Sequence, residues 1–386
     1  MNVNDSAKLS EVLESFGYSS VENSSARWPQ FKENLSKCDI ILVNTCVVRE
    51  RAENKALGFI DSLRYLKKVK PGIIIGVCGC MTKQEHINLK ERFPFVDLIF
   101  GPNEPGKLDA YLVNKLSVTR NEKRVTSKNN YVTIMHGSDN FCSYCVVPYV
   151  RGREISRPMD DILSEIKDLI DQGAKEITLL GQNVNSYKYD LANLLMEIEK
   201  LFSLPVTRYS LRFMTNHPRD FSDKIIETVA ELKCAAKDFH LPLQSGDDEI
   251  LKKMNRGYTV DYYRGRIKKI KELMPEATIT TDIIVGFPGE TEEQFSNTLD
   301  RIREFKFNAV NMAAYSIRPQ TAAAKLPDHL PEEIKKERLK KLIEVVNEVA
   351  GKKVLTSLNH HRPHLGISIS KLNAFPPLPK GEEVVG

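Results

Sequence analysis

Along the first hundred residues, short apolar runs alternate with amphipathic stretches. Apolar positions recur at helical spacing from Asp5 to Phe16, and Gly17 ends that pattern. The runs DIILVN (39–44), GIIIGV (72–77) and VDLIF (96–100) are short and almost continuously apolar, so each reads as a buried strand. Charged periodic stretches after Cys46 and after Thr82 read as the helices between them. Strands separated by helical crossovers predict a parallel sheet.

The same alternation resumes after SVTRNEKRVTSKNN (117–130), a polar, basic stretch that reads as a linker. Strands are expected at YVTIMHG (131–137), EITLLGQ (176–182), RYSLRF (208–213), FHLPLQ (239–244), TITTDIIVGF (278–287) and AVNMAAYS (309–316), with helical patterns between them. Six such units suit a partial or open (β/α)6 barrel, whose chemistry gathers at the carboxyl ends of the strands. The loops that follow those strands, among them SDNFCSYC, GQNVNSY, QSGDDE and GFPGETEE, are polar and glycine-bearing, as a ligand-facing rim requires. A last helix is expected in LPEEIKKERLKKLIEVVNEVAGKK (330–353). The expected division is a first domain over 1–115, a linker over 116–130, a second domain over 131–358 and a tail over 359–386. That tail shows no sustained period and is expected to pack poorly.

Composition narrows the class. A chain of 386 residues with 41% hydrophobic and 28% charged residues matches an ordinary soluble, two-domain protein. No run approaches the roughly 18 apolar residues that would span a bilayer. The opening MNVNDSAKLSEVLESFGY has no basic segment followed by an apolar one, so the expected location is the cytoplasm. A net charge of +5 permits a nucleic-acid partner and equally suits a mildly basic enzyme. Seven cysteines, an odd number, argue against a disulfide framework. Cys38 and Cys234 read as small buried apolar residues. Cys46 and Cys80 follow the first two predicted parallel strands and therefore meet on one edge of the sheet.

Cys142 and Cys145 form a C-x-x-C in MHGSDNFCSYCVVPYVRGREISRP (135–158). A redox dithiol usually opens a helix directly, whereas this one leads into a proline-interrupted segment. A zinc site would need a second pair of ligands nearby. Spacing by itself leaves an iron–sulfur loop, a redox dithiol and half a zinc site open.

The stretch GSDNFCSYCVVPYVRGREISRP resembles the cluster loop of the radical S-adenosylmethionine methylthiotransferase family, with Ser138 in place of that loop's first cysteine. ILVNTCVVRERAE, GCMTKQE, LLGQNVNSY, NHPRDFSD, HLPLQSGDDEILKKMNRGYT, TDIIVGFPGETEEQF and YSIRPQTAAA are similar to further family segments, so the likeness runs from Met1 to about Leu358. Within the family the wording is nearest the MiaB type.

That resemblance implies a flavodoxin-like methylthiotransferase domain followed by a radical S-adenosylmethionine barrel. It implies S-adenosylmethionine and two 4Fe-4S clusters as cofactors, and methylthiolation at C2 of N(6)-(dimethylallyl)adenosine beside the anticodon of tRNA. An electron donor such as flavodoxin or ferredoxin, a monomeric state and no membrane partner go with it. Alternatives are a threonylcarbamoyladenosine or ribosomal-protein substrate, or a catalytically inactive member.

By the same likeness Cys142 and Cys145 hold one cluster, and Cys46 and Cys80 the other. Tyr144 packs beside the first cluster; Gly181, Gln182, Asn183, Gln244 and Ser245 line the S-adenosylmethionine rim; Gly286, Pro288 and Gly289 shape a turn near its adenosine end. For these glycines a left-handed turn is an equal reading, and Tyr144 reads equally as an ordinary buried aromatic. Arg151 and Arg153 read as phosphate or carboxylate contacts or as solvated charges; His217 and His240 read as rim or structural groups. Each cluster site is expected to lack one cysteine: Ser138 stands at one, and relatives carry a GCQ before the segment that here begins at Met1. Cys78 and Cys38 are weaker substitutes. The tail stands where relatives carry a TRAM domain.

Overall fold

The computed structural model describes residues 2–21, 34–48, 50–116, 130–202, 209–350 and 366–372. The predicted linker lies almost wholly outside the described residues. The chain divides into two compact units, one built mainly from 2–46 and 51–128 with a strand at 366–372, the other mainly from 129–364.

The first unit contains β1 (Tyr18–Ser20), β2 (Ile40–Thr45), β3 (Ile74–Gly79) and β4 (Leu98–Phe100). β2, β3 and β4 are parallel neighbours, as the apolar runs predict. All six residues of β2 and all six of β3 are buried, which explains the unbroken apolar runs: a parallel sheet is covered on both faces. On one face Leu9 and Leu13 of the helix Asn2–Ser15 pack with Ile40, Leu42, Ile74 and Cys78. Each fully buried leucine or isoleucine contributes about 1.5–3 kcal/mol.

The sheet holds one departure from expectation. Its order places β13 (Gly366–Leu372), from the expected poorly packed tail, between β1 and β2. β13 runs antiparallel to both, pairing Ile367 with Val43 and Lys371 with Ser19. Its residues read Gly-Ile-Ser-Ile-Ser-Lys-Leu, a two-residue alternation over a span too short to register as a sustained period. The ladder hydrogen bonds of β1 and β2 decide the matter, since buried strand edges must pair.

The second unit carries six parallel strands in chain order. β5 (Tyr131–Thr133), β8 (Glu176–Leu180) and β9 (Ser210–Phe213) form one three-stranded sheet. β10 (Asp238–His240), β11 (Thr278–Val285) and β12 (Ala309–Ala314) form the next. A parallel bridge between Leu211 and Ala235 links the two, giving the open (β/α)6 arrangement. A short antiparallel pair, β6 (Met135–His136) with β7 (Ile155–Ser156), brackets the cysteine loop. Four helices of this unit begin at side-chain caps: Ser222, Asp247, Thr259 and Thr291 each accept a backbone N–H, and Gln294 completes a capping box with Thr291. No helix among the described residues is long and apolar enough to cross a membrane.

Candidate functional site

In the first unit, the register pairs Thr45 with Gly79, so Cys46 and Cys80 each stand one residue beyond paired positions. Parallel neighbours lie about 4.8 Å apart, which brings the two cysteines to adjacent strand ends. The Thr45 hydroxyl donates to the Cys78 carbonyl at 2.6 Å and accepts the Met81 N–H at 3.2 Å, tying the two ends together. Gly79 makes this approach possible: its φ is +90°, and a Cβ there would lie 2.4 Å from the Thr45 carbonyl oxygen. Cys80 is buried at the start of a short 3-10 turn, and Cys46 is partly exposed. Cys78 belongs to the apolar cluster and directs its thiol to the Val43 carbonyl, and burial pushes that thiol upward. Cys38 likewise donates to the Asn34 carbonyl. Neither takes a place at the strand ends.

In the second unit, the cysteine loop is fastened to the segment that follows the helix Asp248–Lys253. Ser143 N–H donates to Met254 O at 3.0 Å, the Ser143 hydroxyl donates to Lys253 O at 2.8 Å, and Asn255 Nδ2 donates to Phe141 O at 2.8 Å. Ala323 N–H donates to Ser143 O at 2.7 Å from the other side. Asn255 and Gly257 have φ of 55° and 68°, and this double left-handed turn delivers Arg256 to the loop.

Arg256 is 4% exposed, a buried cation. Its Nη1 donates to Cys142 Sγ at 3.2 Å and to the Tyr144 hydroxyl at 3.4 Å; Nε donates to the Tyr258 hydroxyl at 3.0 Å and Nη2 to Pro242 O at 3.1 Å. These described partners are a thiol sulfur, two phenol oxygens and a carbonyl oxygen, with no carboxylate among them. The Cys145 N–H donates to Cys142 O at 2.9 Å. Burial, then the neighbouring Cys142 charge, pushes the Cys145 thiol up to about 12. Only a bound cation would offset the cost of ionising Cys145 in that setting.

Tyr144 packs against Ile250, Met254, Phe287, Tyr315 and Ala323, and burial raises its phenol well above the ordinary value. Ser138, also buried, accepts the Asn140 N–H at 3.2 Å and donates its own N–H to Gly152 O at 3.1 Å. Gly137 before it has φ +73°, and a Cβ would meet the Arg153 carbonyl oxygen at 2.0 Å. Among the described residues no set of three His, Cys, Asp or Glu gathers to hold a metal ion.

The rim residues divide by what their side chains do. Gly181 abuts Met135, where a Cβ would lie 2.5 Å from Met135 Cγ; packing alone calls for glycine there. Among the described residues Gln182 Oε1 is buried with no hydrogen-bond partner, and both side-chain polar atoms of Asn185 are in the same condition. Asn183 instead donates to Asp220 Oδ2 at 2.6 Å and accepts His217 N–H at 3.2 Å, bracing the next loop. His217 Nε2 is buried and unpartnered, and burial, reinforced by Arg256 and Arg219, pushes its imidazole down to about 2. Unsatisfied buried polar atoms cost free energy, so their gathering at strand ends fits a polar ligand.

Gln244 has φ +72° and exchanges backbone hydrogen bonds with Asp282 and Ile284. Ser245 is fully buried, its hydroxyl 3.4 Å from that of Thr298. His240 bridges Thr280 and Asp282 at 3.0 and 3.2 Å, and Asp282 also accepts from Asn311 at 2.9 Å.

The turn at Gly286, Pro288 and Gly289 is of the left-handed kind at both glycines, with φ of 71° and 70°. Glu290 holds it closed. Its carboxylate accepts the Gly286 N–H at 2.7 Å and Arg338 Nη1 at 2.6 Å, an ion pair shut away from water. Burial outweighs that pairing and keeps the carboxyl above its ordinary range.

Residues 132–302 match the radical SAM superfamily, and residues 1–101 match a group described as uncharacterized protein family UPF0004. The tRNA-2-methylthio-N(6)-dimethylallyladenosine synthase of Desulforamulus reducens is 45% identical over 374 residues, covering 91% of this chain and 78% of that protein. Its counterpart from Pelotomaculum thermopropionicum is 44% identical over 376 residues, covering 91% and 80%. This chain belongs to that family.

Among solved structures, the radical S-adenosylmethionine methyltransferase TsrM of Kitasatospora setae matches with a TM-score of 0.64 at 16% identity, over 83% of this chain and 74% of that one. At that identity the likeness concerns the fold. Membership of the radical SAM group carries a 4Fe-4S cluster and S-adenosylmethionine as cofactors. Cys142 and Cys145 offer two soft sulfur donors for the cluster, and the rim's buried polar atoms without partners among the described residues suit a polar ligand such as S-adenosylmethionine.

Arg256, Asn185, Glu290 and Arg338 escaped the sequence reading. For Arg256 the sequence held one usable signal, an arginine between two residue types that tolerate left-handed backbone.

Proposed function

We propose that this chain is a tRNA methylthiotransferase that places a methylthio group on C2 of N(6)-(dimethylallyl)adenosine next to the anticodon. The observation that carries the reading is the 45% identity across 91% of the chain to a synthase of that name, together with a buried arginine that donates to the buried Cys142 of the barrel's C-x-x-C loop. The proposed cofactors are S-adenosylmethionine and two 4Fe-4S clusters, one at Cys142 and Cys145, where Ser138 stands in place of the family loop's first cysteine, and one at Cys46 and Cys80. Flavodoxin or ferredoxin as electron donor, a monomeric state and a cytoplasmic location complete the proposal.

A cluster held by Cys142 and Cys145 would supply reducing electrons toward S-adenosylmethionine, and one held by Cys46 and Cys80 would supply sulfur. The chain's residues bind and orient. Arg256 Nη1 donates to Cys142 Sγ and would offset the charge of that sulfur as a cluster ligand. Gln182, Asn185 and His217 offer polar atoms with no partner among the described residues, and His217 remains neutral there. Tyr144 and its apolar neighbours exclude water from the thiols.

The test is anaerobic reconstitution with iron and sulfide, then incubation with S-adenosylmethionine, a low-potential reductant and tRNA bearing dimethylallyladenosine. Mass spectrometry of the digested nucleosides should show the methylthio addition. Addition to threonylcarbamoyladenosine or to a ribosomal protein instead would replace the substrate assignment. A second reading, a catalytically inactive member, is favoured by Ser138, whose hydroxyl is a poorer iron ligand than a thiolate. A reconstituted chain that holds no iron would establish it.

A further inference from the structure

The cysteine loop turns two large aromatic side chains outward. Phe141 is 41% exposed and Tyr149 is 46% exposed, whereas their neighbours Cys142, Val146 and Val150 are buried. Their rings meet edge to face with centroids 6.3 Å apart, and the Arg153 guanidinium lies over the Phe141 ring at 5.5 Å. The group is held in place. Asn255 Nδ2 donates to the Phe141 carbonyl at 2.8 Å, Arg153 pairs with Asp139 at 2.7 Å, and Asp139 also accepts the Glu154 N–H at 3.1 Å.

We propose that Phe141, Tyr149 and Arg153 form a ledge on which an unpaired nucleobase of the RNA substrate stacks, beside the base undergoing modification. The inference rests on the tRNA reading above and adds the residues that hold the RNA. Phe141 directly precedes Cys142, so the ledge adjoins the reactive loop. An enzyme that acts on a base draws it out of its stack, and the neighbouring base then loses a stacking partner. A fixed aromatic face replaces that partner, and a planar cation beside it strengthens the contact. Asp139 offsets the Arg153 charge, so the ledge addresses base faces rather than phosphates. A purely phosphate-binding surface would leave the guanidinium unpaired and would have no use for two exposed rings.

The test uses the full chain and fluorescence anisotropy with two RNAs, an anticodon stem-loop and a fully paired duplex of equal length. The double variant Phe141→Leu/Tyr149→Leu is expected to bind the stem-loop roughly ten- to a hundredfold more weakly. Duplex binding and the slope of log K against log salt should stay at wild-type values, because no phosphate contact is removed. Tyr149→Phe, which keeps the ring, should retain wild-type affinity, and matching circular dichroism and thermal unfolding would show that the fold is intact. Unchanged stem-loop affinity in the double variant, or an equal loss on duplex, overturns the ledge while leaving the tRNA reading standing. Unchanged RNA affinity with slowed reduction by a flavodoxin would assign the rings to a protein partner and also overturns it. A wild-type chain that binds neither RNA overturns the tRNA reading and the ledge with it.

Discussion

Arg256 reaches Cys142 across 114 positions of sequence, its Nη1 3.2 Å from the sulfur. The same guanidinium ties the Tyr144 and Tyr258 hydroxyls and the Pro242 carbonyl into one buried group. Loop, rim and strand end therefore share a single cation. Arg256→Met leaves those partners without their donor and is expected to cost about 1–3 kcal/mol in urea denaturation. It should also lower the iron retained after anaerobic reconstitution. Wild-type stability together with wild-type iron content would show that the arginine does neither task.

Ser138 lies buried at the start of the loop, with its hydroxyl on the Asn140 N–H. Replacing it by cysteine adds a soft donor where a hard one stands. Ser138→Cys is expected to raise bound iron and the brown charge-transfer absorbance of reconstituted protein, and to slow loss of iron to a chelator. Equal iron in both proteins would mean that position 138 does not face the metal.

His217 sets a pH dependence. Its imidazole is held down at about 2, against an ordinary value of 6.5, because burial and the charges of Arg256 and Arg219 oppose protonation. The unfolded chain therefore takes up a proton below 6.5 that the folded chain refuses. The stability this group contributes is complete above pH 6.5 and falls as pH is lowered toward about 2. His217→Asn should flatten the decline in unfolding free energy measured through that acid range. A decline of unaltered slope would place its origin in other groups.

Gly79 permits the strand ends that carry Cys46 and Cys80 to approach. Gly79→Ala imposes a side chain at φ +90° and 2.4 Å from the Thr45 carbonyl, so the backbone must shift. A loss of roughly 1–3 kcal/mol is expected. Iron bound through Cys46 and Cys80 should fall, whereas iron dependent on Cys142 and Cys145 should persist. Iron analysis in a Cys142→Ala/Cys145→Ala background separates the two, and unchanged iron there would remove Gly79 from any role in positioning.

The parallel strands were legible because burial on both faces leaves unbroken apolar runs such as IILVNT and IIGVCG. Cys46 and Cys80 were legible with them, since the end of a strand is a local property of the chain. The left-handed turn at Gly286 and Gly289 and the loop around Cys142 and Cys145 were readable for a like reason. Their residue types are dictated within a few positions of sequence.

Other features were settled only when distant segments packed. Asn183 was expected on the rim, yet its amide is engaged by Asp220 and His217 more than thirty positions away. Arg256 carries no periodic signature that would announce a sulfur partner in another loop. β13 enters the first sheet because β1 and β2 present unpaired ladder groups, a demand made by backbone geometry and invisible in the strand's own seven residues. Local pattern determines which elements form and which residues end them. The pairing of donors with acceptors across the fold is decided by the tertiary structure, where a buried polar group must find its partner wherever the chain supplies one.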